Sequence, residues 1–407
     1  RALDIRERRL GHENTATAES INGLASELNA RGQGAAAEAT WNEAIRINCK
    51  LLGDSHPAYL WMLNGVIQAQ LSQKKYKEAE ATAHRCIELE REILGPDHPL
   101  IANSLTRLAR VLDTQGKTAD AKTNLQQALA IWTKRVSNPD PNMGETVSAL
   151  FDLLLSQRNF DEAKSVFEQV SVDHEKPNTA LVVVCANYLA RTGHFSDAAR
   201  RFEDVIQVDP DNHLAYQALA SLYVQINDEP SYRRLRSQIL NRFGSITNDP
   251  RIADRMAKSS FILPCESESL TIATNLANSA VTFDPDAANH PWFQFCKALA
   301  EFRAGNFENS KLWIAKVLKP ENQGGSRDVE AYMVLAMDEQ GLHNEKAAIQ
   351  ALESGNSLAR RRLRDLSSGD IDSGWPDWIL ARSLIKEAQG SVQSNTRETS
   401  SVLPVSP

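Results

Sequence analysis

The chain has 407 residues, of which 42% are hydrophobic, and it carries a formal net charge of −7. This length can hold two or three globular domains or one long repeat array. The excess of acidic residues argues against a general nucleic-acid-binding protein, which needs lysine and arginine to displace counterions from phosphates. The sequence contains no run of about 18 apolar residues, so it predicts no segment that spans a membrane.

The cysteines and the first residues bear on the cellular compartment. Five cysteines are scattered along the chain without any C-x-x-C pair, which argues against a zinc site or a disulfide framework. Buried, reduced thiols suit a reducing compartment, so we expect a cytoplasmic location. Residues 1–8 are highly charged and predict a helix rather than a signal peptide.

One turn sequence recurs at a constant interval in the first third of the chain. The turn first occurs at residues 10–15 (Leu-Gly-His-Glu-Asn-Thr). It recurs 42 positions later at residues 52–57 (Leu-Gly-Asp-Ser-His-Pro), and another 42 positions later at residues 94–99 (Leu-Gly-Pro-Asp-His-Pro). Apolar residues recur at the same 42-residue interval, as at Ile5, Ile47, Leu89 and Ile131. Such self-similarity at one period predicts a solenoid.

Each repeat is expected to form two antiparallel helices. Apolar residues recur at helical spacing within the unit, as at Leu105, Leu108 and Leu112. Small residues at equivalent positions, such as Ala79 and Ala121, allow the two helices to pack closely.

Two kinds of turn separate these helices. Gly32, Lys74 and Gly116 occupy the tight turn inside the unit. The longer turn ends the second helix, because Gly95 tolerates a left-handed cap and Pro99 can start the next helix.

These features together resemble the tetratricopeptide repeat. The resemblance rests on a Leu-Ala pair in the first helix, as at Leu108-Ala109, a glycine at the turn, and an alanine near the middle of the second helix. The 42-residue spacing is similar to the kinesin-light-chain variety, which has longer helices than the common 34-residue form. The resemblance implies an all-α fold, a right-handed α-solenoid of antiparallel helix pairs. The chain begins inside a second helix, so we expect it to be the C-terminal part of a longer polypeptide.

The repeats change in the middle of the chain. A fourth unit is predicted from residue 146 to 170, and from about residue 178 the period shortens to that of the ordinary repeat. The next unit is degenerate, because residues 227–230 (Asn-Asp-Glu-Pro) replace the usual turn. Two further helices are predicted at about residues 250–261 and 267–282.

The array is expected to resume at residues 290–293. A turn is predicted at Gly341, which follows Ala336 by five residues where the repeat normally has seven. That spacing predicts a shortened or kinked unit. A last helix is predicted from Pro376 to Gln389, followed by a tail rich in serine and threonine.

The predicted division of the chain follows these changes. Residues 1–136 form kinesin-light-chain-like units with the first one truncated, and residues 137–245 form further units that become 34 residues long. Residues 246–389 form degenerate repeat-like helices with a capping helix, and residues 390–407 form a disordered tail.

The second half of the chain carries another resemblance. Residues 298–307, the triplet Leu335-Ala336-Met337 and residues 375–380 resemble the C-terminal repeat region of large planctomycete-type bacterial proteins, where such regions often follow a serine/threonine protein kinase domain. The resemblance implies a non-catalytic protein–protein interaction scaffold that senses or recruits within a larger bacterial signalling protein. A stand-alone adaptor with no attached enzyme is the alternative.

No catalytic chemistry is predicted in these residues. The sequence has no kinase motif, no P-loop, no H-E-x-x-H and no G-x-S-x-G, and we expect no cofactor and no metal site. His56 and His98 could serve a metal or an acid–base reaction. They recur at the same turn position, however, so the repeat favours a role in capping or packing the turn.

The binding prediction follows from the repeat family, in which the first helix of each pair lines the concave surface. The register places nine residues there: Glu19, Asn22, Ser26, Trp61, Asn64, Gln68, Asn103, Arg107 and Arg110. Asparagine can bond a peptide backbone with both a donor and an acceptor, and arginine can hold a carboxylate with two parallel bonds. We therefore expect a protein or peptide partner, acidic or extended. The alternative is that these residues are ordinary solvated positions on helices.

Two features near the C-terminus leave alternatives open. Residues 360–364 contain four arginines near the end of a helix, where positive charge is favourable. A solvated surface is the simpler interpretation, and an acidic partner is the alternative. Trp375 and Trp378 are expected to belong to the core of a capping helix, although they could be exposed recognition residues.

Overall fold

The structure is a computed structural model that describes residues 2–53, 56–134, 142–170, 178–246, 248–282, 290–319 and 325–400. Within these ranges the chain forms twenty α-helices and no strand. It divides into two compact units, Arg1–Val184 (unit 1) and Cys185–Pro407 (unit 2). The predicted all-α solenoid class is confirmed. The predicted divisions at residues 136 and 245 follow repeat type and stay predictions.

Unit 1 consists of consecutive helix pairs. Its helices are α1 (Ala2–Leu10), α2 (Thr15–Ala30), α3 (Gly34–Leu52), α4 (Pro57–Ser72), α5 (Tyr76–Leu94), α6 (Pro99–Thr114), α7 (Thr118–Thr133), α8 (Met143–Ser156) and α9 (Phe160–Val170). Helix α2 packs on α3, α4 on α5, α6 on α7 and α8 on α9. The first helices of neighbouring pairs also contact each other, as α2 does α4 and α6 does α8. The first helices therefore form a layer of their own.

The tight turn inside each pair has one backbone conformation. Gly32, Lys74, Gly116 and Arg158, each 42 residues after the last, have φ angles of 75°, 59°, 76° and 58°. Positive φ is unfavourable for a side chain with a Cβ, so glycine is the easiest residue at this position. The shared conformation confirms the predicted turn, including at Lys74.

The longer turns also agree with the sequence. Gly53 and Gly95 follow α3 and α5 with φ angles of 82° and 83°. His56 and His98 precede α4 and α6, and the ring nitrogen Nδ1 of each accepts a hydrogen bond from the backbone N–H two residues later, at 3.2 and 3.3 Å. The capping role of the two histidines is confirmed, since these bonds satisfy N–H groups that lack a partner within the helix.

Unit 2 continues with helix pairs and ends in a long helix. Helix α10 (Thr179–Arg191) crosses the boundary, and the following helices are α11 (Phe195–Val208), α12 (His213–Gln225), α13 (Glu229–Phe243), α14 (Pro250–Ser260), α15 (Ser267–Thr282), α16 (His290–Arg303), α17 (Phe307–Val317), α18 (Gly325–Gly341), α19 (Glu345–Arg362) and α20 (Trp375–Ser400). The first helices α12, α14, α16 and α18 again contact one another in sequence. The two helices predicted near residues 250–261 and 267–282 are confirmed as α14 and α15.

The prediction of a turn at Gly341 was wrong. Gly341 is the last residue of α18, and His343 takes the positive φ of 61°. His343 follows Ala336 by seven residues, so the unit has the normal spacing. Gly341 is required for a different reason: a Cβ there would lie 2.5 Å from a ring carbon of Phe307. The degenerate turn likewise has the normal conformation, with Asn227 at a φ of 58°.

The last helix extends further than predicted and covers more than the last pair. Helix α20 continues past Gln389 to Ser400 and buries Val392, whereas the tail was expected to begin at residue 390. Residues 401–407 lie outside the described residues. Trp375 is 1% exposed and packs beside Phe202 of α11, with ring centroids 6.4 Å apart. Its expected place in the core is therefore confirmed, although its neighbours belong to an earlier pair.

Candidate functional site

The first helices of unit 1 carry the predicted site. We call the surface formed by outward side chains of α2, α4, α6 and α8 the unit 1 face. It bears the nine predicted residues, and the 42-residue step extends it by one helix: Glu145 on α8 holds the position of Glu19, Trp61 and Asn103. Sequence analysis missed Glu145 because it stopped at the third unit.

The predicted residues differ in exposure. Glu19, Ser26, Trp61, Gln68 and Arg110 are exposed. The others are half-buried, and these are Asn22, Asn64, Asn103 and Arg107. Trp61 is 65% exposed, so unit 1 leaves most of a large indole in contact with solvent. An exposed aromatic side chain of this size is a favourable anchor for a partner.

A buried tryptophan positions Asn22. The indole Nε1–H of Trp41 on α3 donates a 2.8 Å hydrogen bond to the side-chain oxygen of Asn22. The indole fits there because residue 65 is glycine, since a Cβ at Gly65 would lie 2.2 Å from a ring carbon of Trp41. Sequence analysis did not connect Trp41 with the site. A glycine inside α4 was the available signal for a close approach.

Asn64 and Arg107 hold each other across two helices. Arg107 on α6 donates a 2.6 Å hydrogen bond to the side-chain oxygen of Asn64 on α4. The amide nitrogen of Asn64 donates to the backbone oxygen of Leu60 at 3.0 Å. Both ends of the Asn64 side chain are therefore engaged within the protein, and Arg107 is oriented before any partner arrives.

Arg110 is paired with the newly identified acidic residue. Its guanidinium lies 2.6 Å from the Glu145 carboxylate, and both side chains are about half exposed. An exposed ion pair of this kind contributes only about 0–1 kcal/mol. The pair therefore orders the two side chains without making them costly to separate.

A small cavity lies beside this ion pair. Its volume is about 270 Å³, and it is formed by α6, α7 and α8. Its lining includes Arg110, Asp113, Leu125, Ser148, Asp152 and Leu153. The cavity has room for part of a side chain, and its lining includes both apolar and polar residues.

The comparisons with known proteins bear on these helices. Residues 17–58, 59–134 and 186–230 each match a family model described as tetratricopeptide repeat. These segments are similar to tetratricopeptide repeats. All nine predicted site residues lie within the first two segments. Tetratricopeptide repeats generally mediate protein–protein interaction, and as a family they are generally non-catalytic. No curated protein matches the chain.

Solved structures with similar repeats are known. A chain of nearly identical kinesin-light-chain TPR-like repeats from Podosopora anserina is 20% identical, with 55% of this chain and 94% of that chain covered and a TM-score of 0.36. A tetratricopeptide repeat protein from Parabacteroides merdae is 16% identical, with 70% and 98% covered and a TM-score of 0.38. PilF of Pseudomonas aeruginosa is 14% identical, with 56% and 93% covered and a TM-score of 0.37.

A buried carboxyl group lies beneath the unit 1 face, between the helix pair α4–α5 and the helix pair α6–α7. Glu90 on α5 is fully buried, and one of its oxygens accepts a 2.8 Å hydrogen bond from the hydroxyl of Ser104 on α6. Burial raises the pKa of Glu90 to about 7, against the smaller lowering effect of Ser104. The group is inaccessible to a ligand, so its role in the repeat is structural.

Other kinds of site were also considered. Among the described residues, no three histidine, cysteine, aspartate or glutamate side chains are grouped so that they could hold a metal ion. None of the described helices combines the length and the apolar composition needed to cross a bilayer. Within residues 360–364, Arg360, Arg361 and Arg362 are exposed, while Arg364 lies 2.9 Å from the Asp370 carboxylate.

Proposed function

We propose that unit 1 is a non-catalytic interaction scaffold that binds an extended peptide segment of a partner protein along the unit 1 face. The observation that carries this proposal is the exposed indole of Trp61, placed in the same register as Glu19, Asn103 and Glu145 on neighbouring first helices. A large aromatic side chain on such a shared surface can supply most of the binding energy of a small interface.

The contacts that hold the polar side chains in place support the same proposal. The Asn64–Arg107 and Arg110–Glu145 contacts restrict these side chains before binding. Less conformational entropy is then lost when a partner binds. An acidic residue of the peptide is placed against Arg107, since Arg110 already has a carboxylate partner. The small cavity beside Arg110 then receives a neighbouring side chain of the peptide.

Replacing Trp61 tests this proposal. Extended peptides would be selected from a displayed library against the full chain, and their affinities measured by fluorescence anisotropy. We expect Trp61→Ala to weaken binding by at least about tenfold, since loss of an aromatic anchor costs about 2 kcal/mol or more.

The matched control is Leu312→Ala in unit 2, because Leu312 is equally exposed, at 66%. It should leave affinity unchanged. Selected peptides that bind the two variants equally well would contradict the proposal.

A wider setting is also proposed. The array serves as the C-terminal sensing or recruiting region of a larger bacterial signalling protein such as a serine/threonine kinase, and a stand-alone adaptor is the alternative. This proposal is supported by the resemblance of residues 298–307 and 375–380 to the C-terminal repeat region of large planctomycete-type bacterial proteins.

A cytoplasmic location accords with five free cysteines. Nucleic acid is not an expected partner, given the net charge of −7. Sequencing the reading frame upstream distinguishes the settings, because a kinase domain there supports the first and its absence supports the adaptor.

A further inference from the structure

The last helix lies across the first helices of unit 2. Helix α20 packs against both α12 and α18, and the Ser221 hydroxyl of α12 donates a 3.3 Å hydrogen bond to the backbone oxygen of Pro376. Arg303 of α16 donates to the Glu387 carboxylate at 2.9 Å. A helix that only capped the last pair would contact α18 and α19 alone. We call the surface of α12, α14, α16 and α18 that α20 covers the unit 2 face.

The segment before α20 is fastened at the far end of this surface. Asp370 receives two hydrogen bonds from the guanidinium of Arg191, at 2.9 and 3.2 Å, and the backbone N–H of Ile371 donates to the Arg191 carbonyl at 3.0 Å. The Trp375 indole donates to the side-chain oxygen of Asn187 at 3.1 Å. These partners are separated by about 180 residues along the chain. Two side chains and one backbone group therefore recognise the start of the segment.

The charges of the two surfaces are complementary. Acidic residues of the segment at 370, 377 and 387 meet basic residues that lie on α10, α14 and α16. Burial raises the pKa of Asp377, while the nearby charges of Lys258 and Arg255 act to lower it. The charge match is closest at Asp370 and Glu387, whereas Asp377 meets a mixed group in which Lys258 is paired with Asp254 at 3.0 Å.

Helix α20 is amphipathic, with buried apolar residues on one side. Its buried residues include Trp375, Ile379, Leu380, Ala381, Leu384, Ala388 and Val392, of which Ala381, Leu384, Ala388 and Val392 recur at intervals of three or four. Lys386 lies on the exposed side. One helical face therefore enters the unit 2 face and the opposite face meets solvent.

The match between the two surfaces is imperfect. Glu330 of α18 is fully buried, and neither of its carboxylate oxygens accepts a hydrogen bond from the protein. Burial raises the pKa of Glu330 well above its ordinary value, and the charge of Asp377 on α20 raises it further. Burying a carboxyl group without hydrogen-bond partners beneath α20 costs free energy at this contact.

We propose that the unit 2 face is a recognition groove for an amphipathic helix that bears an N-terminal tryptophan and carboxylates on the side facing the groove, and that α20 occupies this groove in cis. A partner helix of the same pattern then competes with α20. Residues 363–374 tether α20, so its effective concentration is on the order of millimolar. An external helix must exceed this advantage to enter. The inference is independent of peptide binding by unit 1.

Cutting the tether in the full chain tests the inference. A specific protease site is inserted after Ser367, which is exposed. After cleavage we expect the fragment beginning at Ser368 to stay bound, and a labelled peptide of residues 368–400 to exchange with it. The same peptide with Asp370→Asn and Glu387→Gln should bind at least about tenfold more weakly, because charge-assisted hydrogen bonds are lost. The control peptide carries Lys386→Gln and should bind as the unchanged one does.

Three results would overturn the inference. Loss of helicity in unit 2 after cleavage, with no peptide bound, would show that α20 is ordinary core. Equal affinity of the acidic and neutralised peptides would remove the proposed basis of recognition. An uncut chain that is dimeric, and that exchanges α20 between copies when two labelled preparations are mixed, would contradict occupation in cis.

Discussion

Unit 1 and unit 2 use the same helix pair and differ in what covers the first helices. On the unit 1 face, Trp61 is mostly exposed and Arg107 and Arg110 point outward with partners on neighbouring helices. On the unit 2 face, α20 lies over α12 and α18, and Trp375 of α20 is almost wholly buried. The difference teaches that a repeat array can leave the surface of its first helices open in one unit and cover it with its own chain in another.

The largest expected effect compares these two tryptophans. Trp375→Ala should lower the free energy of unfolding by about 3–5 kcal/mol, because it empties a buried site and removes the hydrogen bond to Asn187. Trp61→Ala should change it by less than about 0.5 kcal/mol, since its side chain is exposed. Urea denaturation followed by circular dichroism measures both. Similar losses for the two variants would break the comparison.

The second effect is a pH dependence from the buried acid of unit 1. The pKa of Glu90 is raised from 4.5 to about 7. Between these values the folded chain keeps a proton that the unfolded chain releases, so stability falls as pH rises from about 4.5 to about 7. The full loss is about 3 kcal/mol.

The matched variant for this effect is Glu90→Gln, which keeps a polar side chain for Ser104 but cannot ionise. We expect it to flatten the change in stability across that pH range and to be more stable than the natural chain at pH 7. Denaturation curves at several pH values provide the measurement. An unchanged slope in the variant would refute the role of Glu90.

A smaller effect tests how the unit 1 face is built. Gly65→Ala should destabilise the chain by about 1–3 kcal/mol, because the new methyl group meets the Trp41 indole. Gly23→Ala is the matched control, since nothing lies within 4 Å of a Cβ there. It should be neutral or stabilise α2 by up to about 1 kcal/mol. Melting temperatures that shift in the same direction for both would contradict the packing described.

The smallest expected effect on stability accompanies a change in binding. Arg107→Glu should weaken the binding of acidic peptides by about tenfold, because a favourable charge becomes a repulsive one. It should alter the free energy of unfolding by less than about 1 kcal/mol, since it removes one hydrogen bond. Arg85→Glu on the exposed side of α5 is the control and should leave affinity unchanged. Equal affinities for the two variants would exclude Arg107 from the site.

Local features of the fold were predictable from the sequence, while distant contacts were not. The 42-residue step located the turns at Gly95 and Gly116. Both turns need a positive φ angle, which glycine adopts easily, so glycine recurs there. The turn at His343 was missed because a histidine there takes a conformation that glycine prefers, while the nearby Gly341 suggested the wrong position. The contact between Arg191 and Asp370 joins residues 179 apart, and no period reveals it. The Trp41–Gly65 packing depends on atomic fit between helices, which residue types alone do not specify.

Oxidative footprinting of the full chain, with and without a selected peptide, tests the central claim most directly. In the free protein we predict rapid labelling of Trp61 and almost no labelling of Trp375. The bound peptide should protect Trp61 and leave Trp375 unchanged. Slow labelling of Trp61 in the free chain, or labelling of Trp375 as fast as that of Trp61, would contradict the account of one open and one occupied face.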